Sequence, residues 1–225
     1  MELNADFSKP VVIRPDDNSW KPSPMPGVDR MMLDRLGDEV ARATTIVRYA
    51  SGSKFSAHVH DGGEEFFVLD GVFEDEHGAF PAGSYIRNPP GSSHTPGSEK
   101  GCVIFVKLWQ FDPLDRSHVR IDTNKLGRVP DASRPGVSIS PLFEDRREKV
   151  VMETWEPRTH SVVSAQQGAE ILVTSGTITF DDVLLPQWSW IRIPAGEAVT
   201  LTSGDDPVRL WIKRDHLTDV RAPGR

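Results

Sequence analysis

Apolar positions along the chain come in short runs rather than in long amphipathic stretches. Nine of them stand out: Ala43–Tyr49, Glu65–Leu69, Gly83–Asn88, Val103–Trp109, Lys149–Trp155, Glu170–Thr174, Thr177–Phe180, Ser189–Ile193 and Val208–Lys213. Each is rich in Val, Ile, Thr, Phe or Trp and is bounded by Gly, Pro, Asp or Ser, residues that end strands and make turns. Many short, evenly spaced strands predict an all-β sandwich or barrel. Helical patterning is weak; Met31–Leu36 and Asp215–Val220 are the two places where a short helical turn is expected. The polar stretch 117–135, with Asp122, Asn124, Gly127, Pro130 and Pro135, reads as a linker.

The same pattern occurs twice. At an offset of 105 residues, Gly63-Glu64-Glu65-Phe66-Phe67-Val68-Leu69-Asp70-Gly71 lies over Gly168-Ala169-Glu170-Ile171-Leu172-Val173-Thr174-Ser175-Gly176. Phe80-Pro81 lies over Leu185-Pro186, and Tyr85-Ile86-Arg87-Asn88-Pro89-Pro90-Gly91 over Trp190-Ile191-Arg192-Ile193-Pro194-Ala195-Gly196. One further residue brings Phe105-Val106-Lys107 over Trp211-Ile212-Lys213. Turn residues reused by chance would not hold one offset over so long a stretch. The chain is therefore read as two copies of one β-fold, residues 1–116 and 136–225, joined by 117–135.

Composition narrows the function. With 225 residues, 37% hydrophobic and 26% charged, the chain can bury a core in each copy. Its net charge of -7 and scattered Arg and Lys disfavour direct contact with nucleic acid. The single cysteine, Cys102, rules out an intrachain disulfide and reads as a small core residue. No signal-peptide pattern and no stretch near the ~20 apolar residues needed to span a bilayer is present, so a cytoplasmic location is expected.

Candidate chemistry is confined to the first copy. In Ala57-His58-Val59-His60, polar and apolar residues alternate. On a strand, His58 and His60 would share a face about 6.8 Å apart, where two imidazoles can converge on one ion. Glu64 follows across Asp61-Gly62-Gly63, whose glycines let the backbone turn so that the next strand starts with its first side chain inward. His94 follows the rigid turn Pro89-Pro90-Gly91.

These residues carry a resemblance. Gly52-x5-His58-x-His60-x3-Glu64-x6-Gly71 and Gly83-x5-Pro89-x-Gly91-x2-His94 resemble the two cupin motifs, with Ser98 replacing the final Asn of the second. The wording of Glu64–Glu76 and Phe80–His94 is similar to that of ChrR-like cupins. The resemblance implies two tandem cupin barrels (double-stranded β-helix, or jelly roll). It also implies one divalent metal on His58, His60, Glu64 and His94: zinc foremost, with Fe(II), Mn(II) or Ni(II) compatible with the donor set. The second copy serves as an internal control. The offset sends the four positions to Val163, Ala165, Ala169 and Val199, small apolar residues that suit a barrel without its ion. The second copy is expected to be metal-free.

Three functions follow. The metal can sense or transform a small molecule or oxidant, for example as a dioxygenase acting on a small dicarbonyl-like substrate. Tyr85 and Arg87 could line the mouth, but their counterparts Trp190 and Arg192 in the metal-free copy favour packing roles. ChrR-like proteins also include anti-sigma factors, which implies a sigma factor as partner. That pattern includes a helical zinc domain with a His-x3-Cys-x2-Cys motif, which a single cysteine does not permit. Lastly, the metal can simply stabilise a binding scaffold. A homodimer through strand pairing is compatible with each.

Overall fold

The computed structural model describes residues 1–38, 40–164 and 166–224. Among them the one helical element is a 3-10 turn at Pro15–Asp17, and all other regular structure is strand. No helix is long and apolar enough to cross a membrane. The chain forms two compact units. One comprises Ser19–Lys125 with Met1–Ala5 and residues 221–224; the other comprises Leu126–Val220 with Asp6–Asn18.

In the first unit a large antiparallel sheet runs in the order Val119–Asp122, Ser84–Asn88, Glu64–Asp75, Cys102–Leu108, Ala41–Tyr49, Val28–Gly37, Lys21–Pro22. A two-stranded sheet, His58–His60 with Ser92–His94, accompanies it. Alternation along Glu64–Asp75 turns Glu64, Phe66 and Val68 to one face. There Phe66 and Val68 join Val28, Val47, Phe73, Ile86, Cys102, Ile104 and Val106 in a buried apolar cluster. The burial expected of Cys102 is thus observed.

The second unit has a seven-stranded sheet, from Val11–Ile13 through Trp190–Ile193, Ala169–Ser175, Val208–Arg214, Lys149–Trp155 and Val137–Glu144 to Val129–Pro130. A four-stranded sheet contains His160–Ser164, Ala198–Ser203, Ile178–Phe180 and Val183–Leu185. Its buried cluster is larger and includes Trp155, Val163, Ala169, Ile171, Ile191, Ile193, Val199, Leu201 and Ile212.

Strand register bears out the repeat. Glu64 pairs with Asn88, Glu65 with Arg87 and Phe67 with Tyr85. At the same offset, Ala169 pairs with Ile193, Glu170 with Arg192 and Leu172 with Trp190. Glu65 also faces Lys107 as Glu170 faces Lys213. The shared positions carry shared contacts. Tyr85 donates to Glu65 at 2.5 Å and Trp190 Nε1 to Glu170 at 3.1 Å.

Four expectations are corrected. Met31–Leu36 is not helical: it lies within the strand Val28–Gly37, hydrogen-bonded along its length to Ala41–Tyr49, with a register shift between Met32 and Asp34. That bulge disguises the two-residue period in the sequence. Asp215–Val220 is also non-helical, because its backbone is used elsewhere: Asp215 N–H donates to Gly168 O and Leu217 N–H to Gln167 O. The segment 117–135 is not a free linker, since Val119–Asp122 and Val129–Pro130 are edge strands of the two large sheets. Asp6–Asn18, assigned by sequence to the first copy, clusters with the second through the pairing of Val11–Ile13 with Trp190–Ile193.

Candidate metal centre

The small sheet of the first unit assembles the site. His58 lies opposite His94, and His60 opposite Ser92, so all four side chains share one face. The three imidazole rings meet with centroids 5.0, 5.0 and 4.6 Å apart. One nitrogen from each ring lies within 4.8 Å of the other two. His60 and His94 are buried, whereas His58 is exposed and opens the cluster to solvent.

Glu64 reaches the cluster from the neighbouring large sheet, with Oε2 at 3.3 Å from His60 Nε2 and 3.6 Å from His94 Nε2. Its approach depends on the two glycines before it. Gly63 sits at φ +77°, a conformation that costs other residues energy. A side chain at Gly62 would begin 2.1 Å from the Trp109 ring, so only glycine lets the loop lie this close.

Hydrogen bonds assign the ring tautomers. His58 Nδ1 lies 3.3 Å from the Ser56 carbonyl oxygen, which can only accept. His60 Nδ1 lies 3.1 Å from Ser92 Oγ, whose own hydrogen is committed to Pro89 O at 2.6 Å. His94 Nδ1 lies 3.2 Å from Asp75 Oδ2. Burial would raise the Asp75 carboxyl, but the bond to His94 and the His77 N–H bring it below the ordinary carboxylate range, so it too accepts. In the neutral rings each Nδ1 therefore carries the proton, and each Nε2 presents a lone pair.

This leaves lone pairs facing lone pairs. His60 Nε2 is buried without a hydrogen-bond partner, yet it stands 3.3 Å from a carboxylate oxygen. Two acceptors this close, with no proton between them, repel unless a cation lies among them. Neutral imidazoles with fixed Nδ1–H partners are the usual way histidines are prepared as metal ligands. The residues present therefore fit a divalent ion. Without one, burial pushes the His60 imidazole pKa down. Burial pulls His94 the same way, but Asp75 and Glu64 outweigh it and the net shift is upward.

All four sequence-predicted residues thus come together in one place. Their counterparts Val163, Ala169 and Val199 lie in the apolar core of the second unit; Ala165 lies outside the described residues. Arg87 and Tyr85 are on the opposite face of their strand. Arg87 is 2.8 Å from Asp115 and 3.5 Å from Glu65, with Phe111 under its guanidinium, which is a packing role. His216 is bound to buried Glu170 at 3.0 Å. Sequence reasoning missed three residues that support the ligands: Asp75, Ser92 and Asn88, whose Nδ2 donates to Glu64 Oε2 at 3.2 Å. A signal was available for two of them, because the offset turns Asp75 into Phe180 and Asn88 into Ile193.

Residues 8–112 match the family described as the ChrR Cupin-like domain. Similar solved structures include a candidate dioxygenase from Nostoc punctiforme, at 13% identity, covering 95% of this chain and 85% of that one with a TM-score of 0.78. Pirin YhhW from Escherichia coli, in complex with nickel(II), is 14% identical over 92% of this chain and 99% of that one (TM-score 0.65). Oxalate decarboxylase from Lactobacillus farciminis, a formate complex, is 10% identical over 92% and 86% (TM-score 0.64). At these identities the likeness concerns the cupin fold alone. No curated protein matches the sequence.

Proposed function

We propose that this chain, whose residues 8–112 match the ChrR Cupin-like domain, is a bicupin metalloprotein. In this reading it binds one divalent metal in its first unit and uses it to act on a small chelating molecule. The observation that carries the reading is the set of three anchored imidazoles, one nitrogen of each within 4.8 Å of the other two, beside the Glu64 carboxylate. His58, His60, Glu64 and His94 are the proposed ligands. A bound divalent ion would polarise an oxygen donor of the substrate. The chain's own residues do the rest. Asn88 orients Glu64, while Ser56, Ser92 and Asp75 hold the imidazoles in the binding tautomer. His58, on the exposed side, leaves a path for ligand entry.

A transforming role is favoured over a purely structural one because the second unit folds around an apolar core where the four ligands would be. The fold does not need the ion, so retaining it in one copy calls for a use. Nickel in the pirin and the likeness to a candidate dioxygenase agree with a redox-capable or Lewis-acid ion, and zinc fits the same donors. Nothing on this chain favours the sigma-factor reading beyond the family match.

The test is elemental analysis of untagged protein, followed by oxygen uptake with Fe(II)-loaded protein and small diketones. One metal per chain, lost in His60→Ala, is expected, and turnover should depend on the metal. Val163→His alone should add no second ion. Full occupancy in His60→Ala would refute the ligand set; stoichiometric metal without turnover on any chelating substrate would leave a sensing or structural role.

A further inference from the structure

The two units can be compared position by position, which separates what the fold needs from what the site needs. Positions kept in both copies include Glu65 and Glu170, Arg87 and Arg192, and Lys107 and Lys213. Positions that turn apolar together with the ligands are Asp75, opposite Phe180, and Asn88, opposite Ile193.

One further position belongs to the second group, and a linear alignment hides it. The edge strand beside Ser84–Asn88 is Val119–Asp122, with Arg120 opposite Ile86. In the second unit the corresponding edge is occupied by Val11–Ile13, from the other end of the chain, with Val12 opposite Ile191. Ile86 and Ile191 are equivalent, so Arg120 stands where the metal-free unit has valine. Paired residues share a face, so Arg120 lies on the face that carries Ile86, Asn88 and Glu64.

The arginine is coupled to the site. Its Nη2 donates to Asn88 Oδ1 at 3.4 Å, and Asn88 Nδ2 donates to Glu64 Oε2 at 3.2 Å. Arg120 is exposed at the edge of the sheet and has no carboxylate partner among the described residues. The nearby Asp115 is engaged by Arg87 at 2.8 Å. His118 is held below the usual imidazole range by partial burial and then by the Arg120 charge, so the guanidinium is the cation felt at this rim. An exposed guanidinium two hydrogen bonds from a ligand carboxylate, held by an amide oxygen alone, is placed to receive an anion whose other end reaches the metal.

We propose that Arg120 is a specificity-determining residue that selects a small carboxylate-bearing chelator, a dicarboxylate or keto acid, over neutral dicarbonyls. This rests on the metal reading above. The carboxylate would take the guanidinium by a fork of hydrogen bonds, displacing Asn88 Oδ1, and no bond to the substrate is made or broken by Arg120.

The test uses full-length protein loaded with Co(II), whose visible spectrum reports ligands entering the metal, titrated with malonate and with neutral malonamide. Wild type should bind malonate at least about tenfold more tightly than malonamide, an advantage weakened by salt. Arg120→Gln should erase that advantage while the protein still takes up Co(II) and still binds malonamide, and Arg120→Lys should restore part of it. Equal malonate affinity in wild type and Arg120→Gln would overturn the assignment while the metal reading stands. Failure of wild type to take up Co(II) would overturn both.

Discussion

Replacing Asp75 by Asn tests whether the supporting carboxylate sets the strength of the metal site. Asp75 Oδ2 lies 3.2 Å from His94 Nδ1, and the aspartate side chain is buried. The three ring anchors differ in kind: a backbone carbonyl at His58, a hydroxyl at His60 and a charged carboxylate at His94. A hydrogen bond to a charged group contributes about 1.5–3 kcal/mol, against about 0.5–1.5 kcal/mol for a neutral one. Asparagine keeps an acceptor of the same shape and removes the charge, so about 1–1.5 kcal/mol should be lost. At roughly 1.4 kcal/mol per decade, metal affinity should fall about five- to tenfold. Asp75→Ala removes the anchor as well, and should approach the roughly hundredfold upper end seen for supporting partners of metal-bound histidine. Ser92→Ala removes only a neutral anchor and should weaken binding by no more than a few-fold. Competition titrations against a chromophoric chelator at fixed pH measure all three, with circular dichroism to verify the fold. The reasoning is refuted if Ser92→Ala costs as much as Asp75→Asn, or if Asp75→Asn binds like wild type.

Two predictions concern parts of the molecule away from the metal. In the second unit, buried Glu153 accepts from Arg134 at 3.0 and 2.8 Å, from Arg214 at 2.8 Å and from Trp155 Nε1 at 2.8 Å. Burial alone would raise its carboxyl, but the two arginines hold it below its ordinary 4.5. A depressed carboxyl adds stability that is complete above the unfolded value near 4.5 and lost as pH falls through the folded value. Glu153→Gln should cost about 3 kcal/mol at pH 7, by leaving part-buried Arg214 without its carboxylate and Arg134 with Asp131 alone, and should flatten the acid limb of a stability-versus-pH curve; an unchanged limb counts against the cluster. In the first unit, burial pushes the Cys102 thiol up to about 11, opposed by a hydrogen bond with Ser98. At pH 8 only about one thiol in a thousand is then thiolate, so labelling by a disulfide reagent should track unfolding; fast labelling of native protein would contradict the burial.

The site was legible in the sequence because its ligands sit at fixed spacings on short strands. His58 and His60 differ by two and so share a face, while the glycines at 62 and 63 leave no room for another reading of the turn. The supporting residues were harder to see. Asp75 lies in an acidic run, Glu74-Asp75-Glu76, that reads as a solvated strand end, and only the pairing of Glu64–Asp75 with Gly78–Pro81 shows where it lies. Met31–Leu36 was misread because a bulge at Met32–Asp34 breaks the period of two on which strand recognition relies. The edge strands were invisible for a different reason. Val11–Ile13 and Val119–Asp122 are short and carry no pattern of their own, and what makes them strands is the open edge of a sheet formed elsewhere in the chain.

That last point bears on how a duplicated fold divides its labour. The two units share turn glycines, strand register and buried charged positions, so none of these distinguishes a metal site from its absence. The difference lies in a connected set: His58, Glu64 and His94 become Val163, Ala169 and Val199, and around them Asp75 and Asn88 become Phe180 and Ile193. The edge strand is drawn from 119–122 in one unit and from 11–13 in the other. Arg120 and Val12 therefore occupy equivalent places without being equivalent in sequence. A ligand that is lost leaves its supporting partners as buried polar groups with nothing to bond, each costing about 1–3 kcal/mol, so the supports must be lost with it. Joint loss of this kind follows the connections of a working site. A buried ionic position kept in both units, such as Arg87 with Glu65, follows those of the fold.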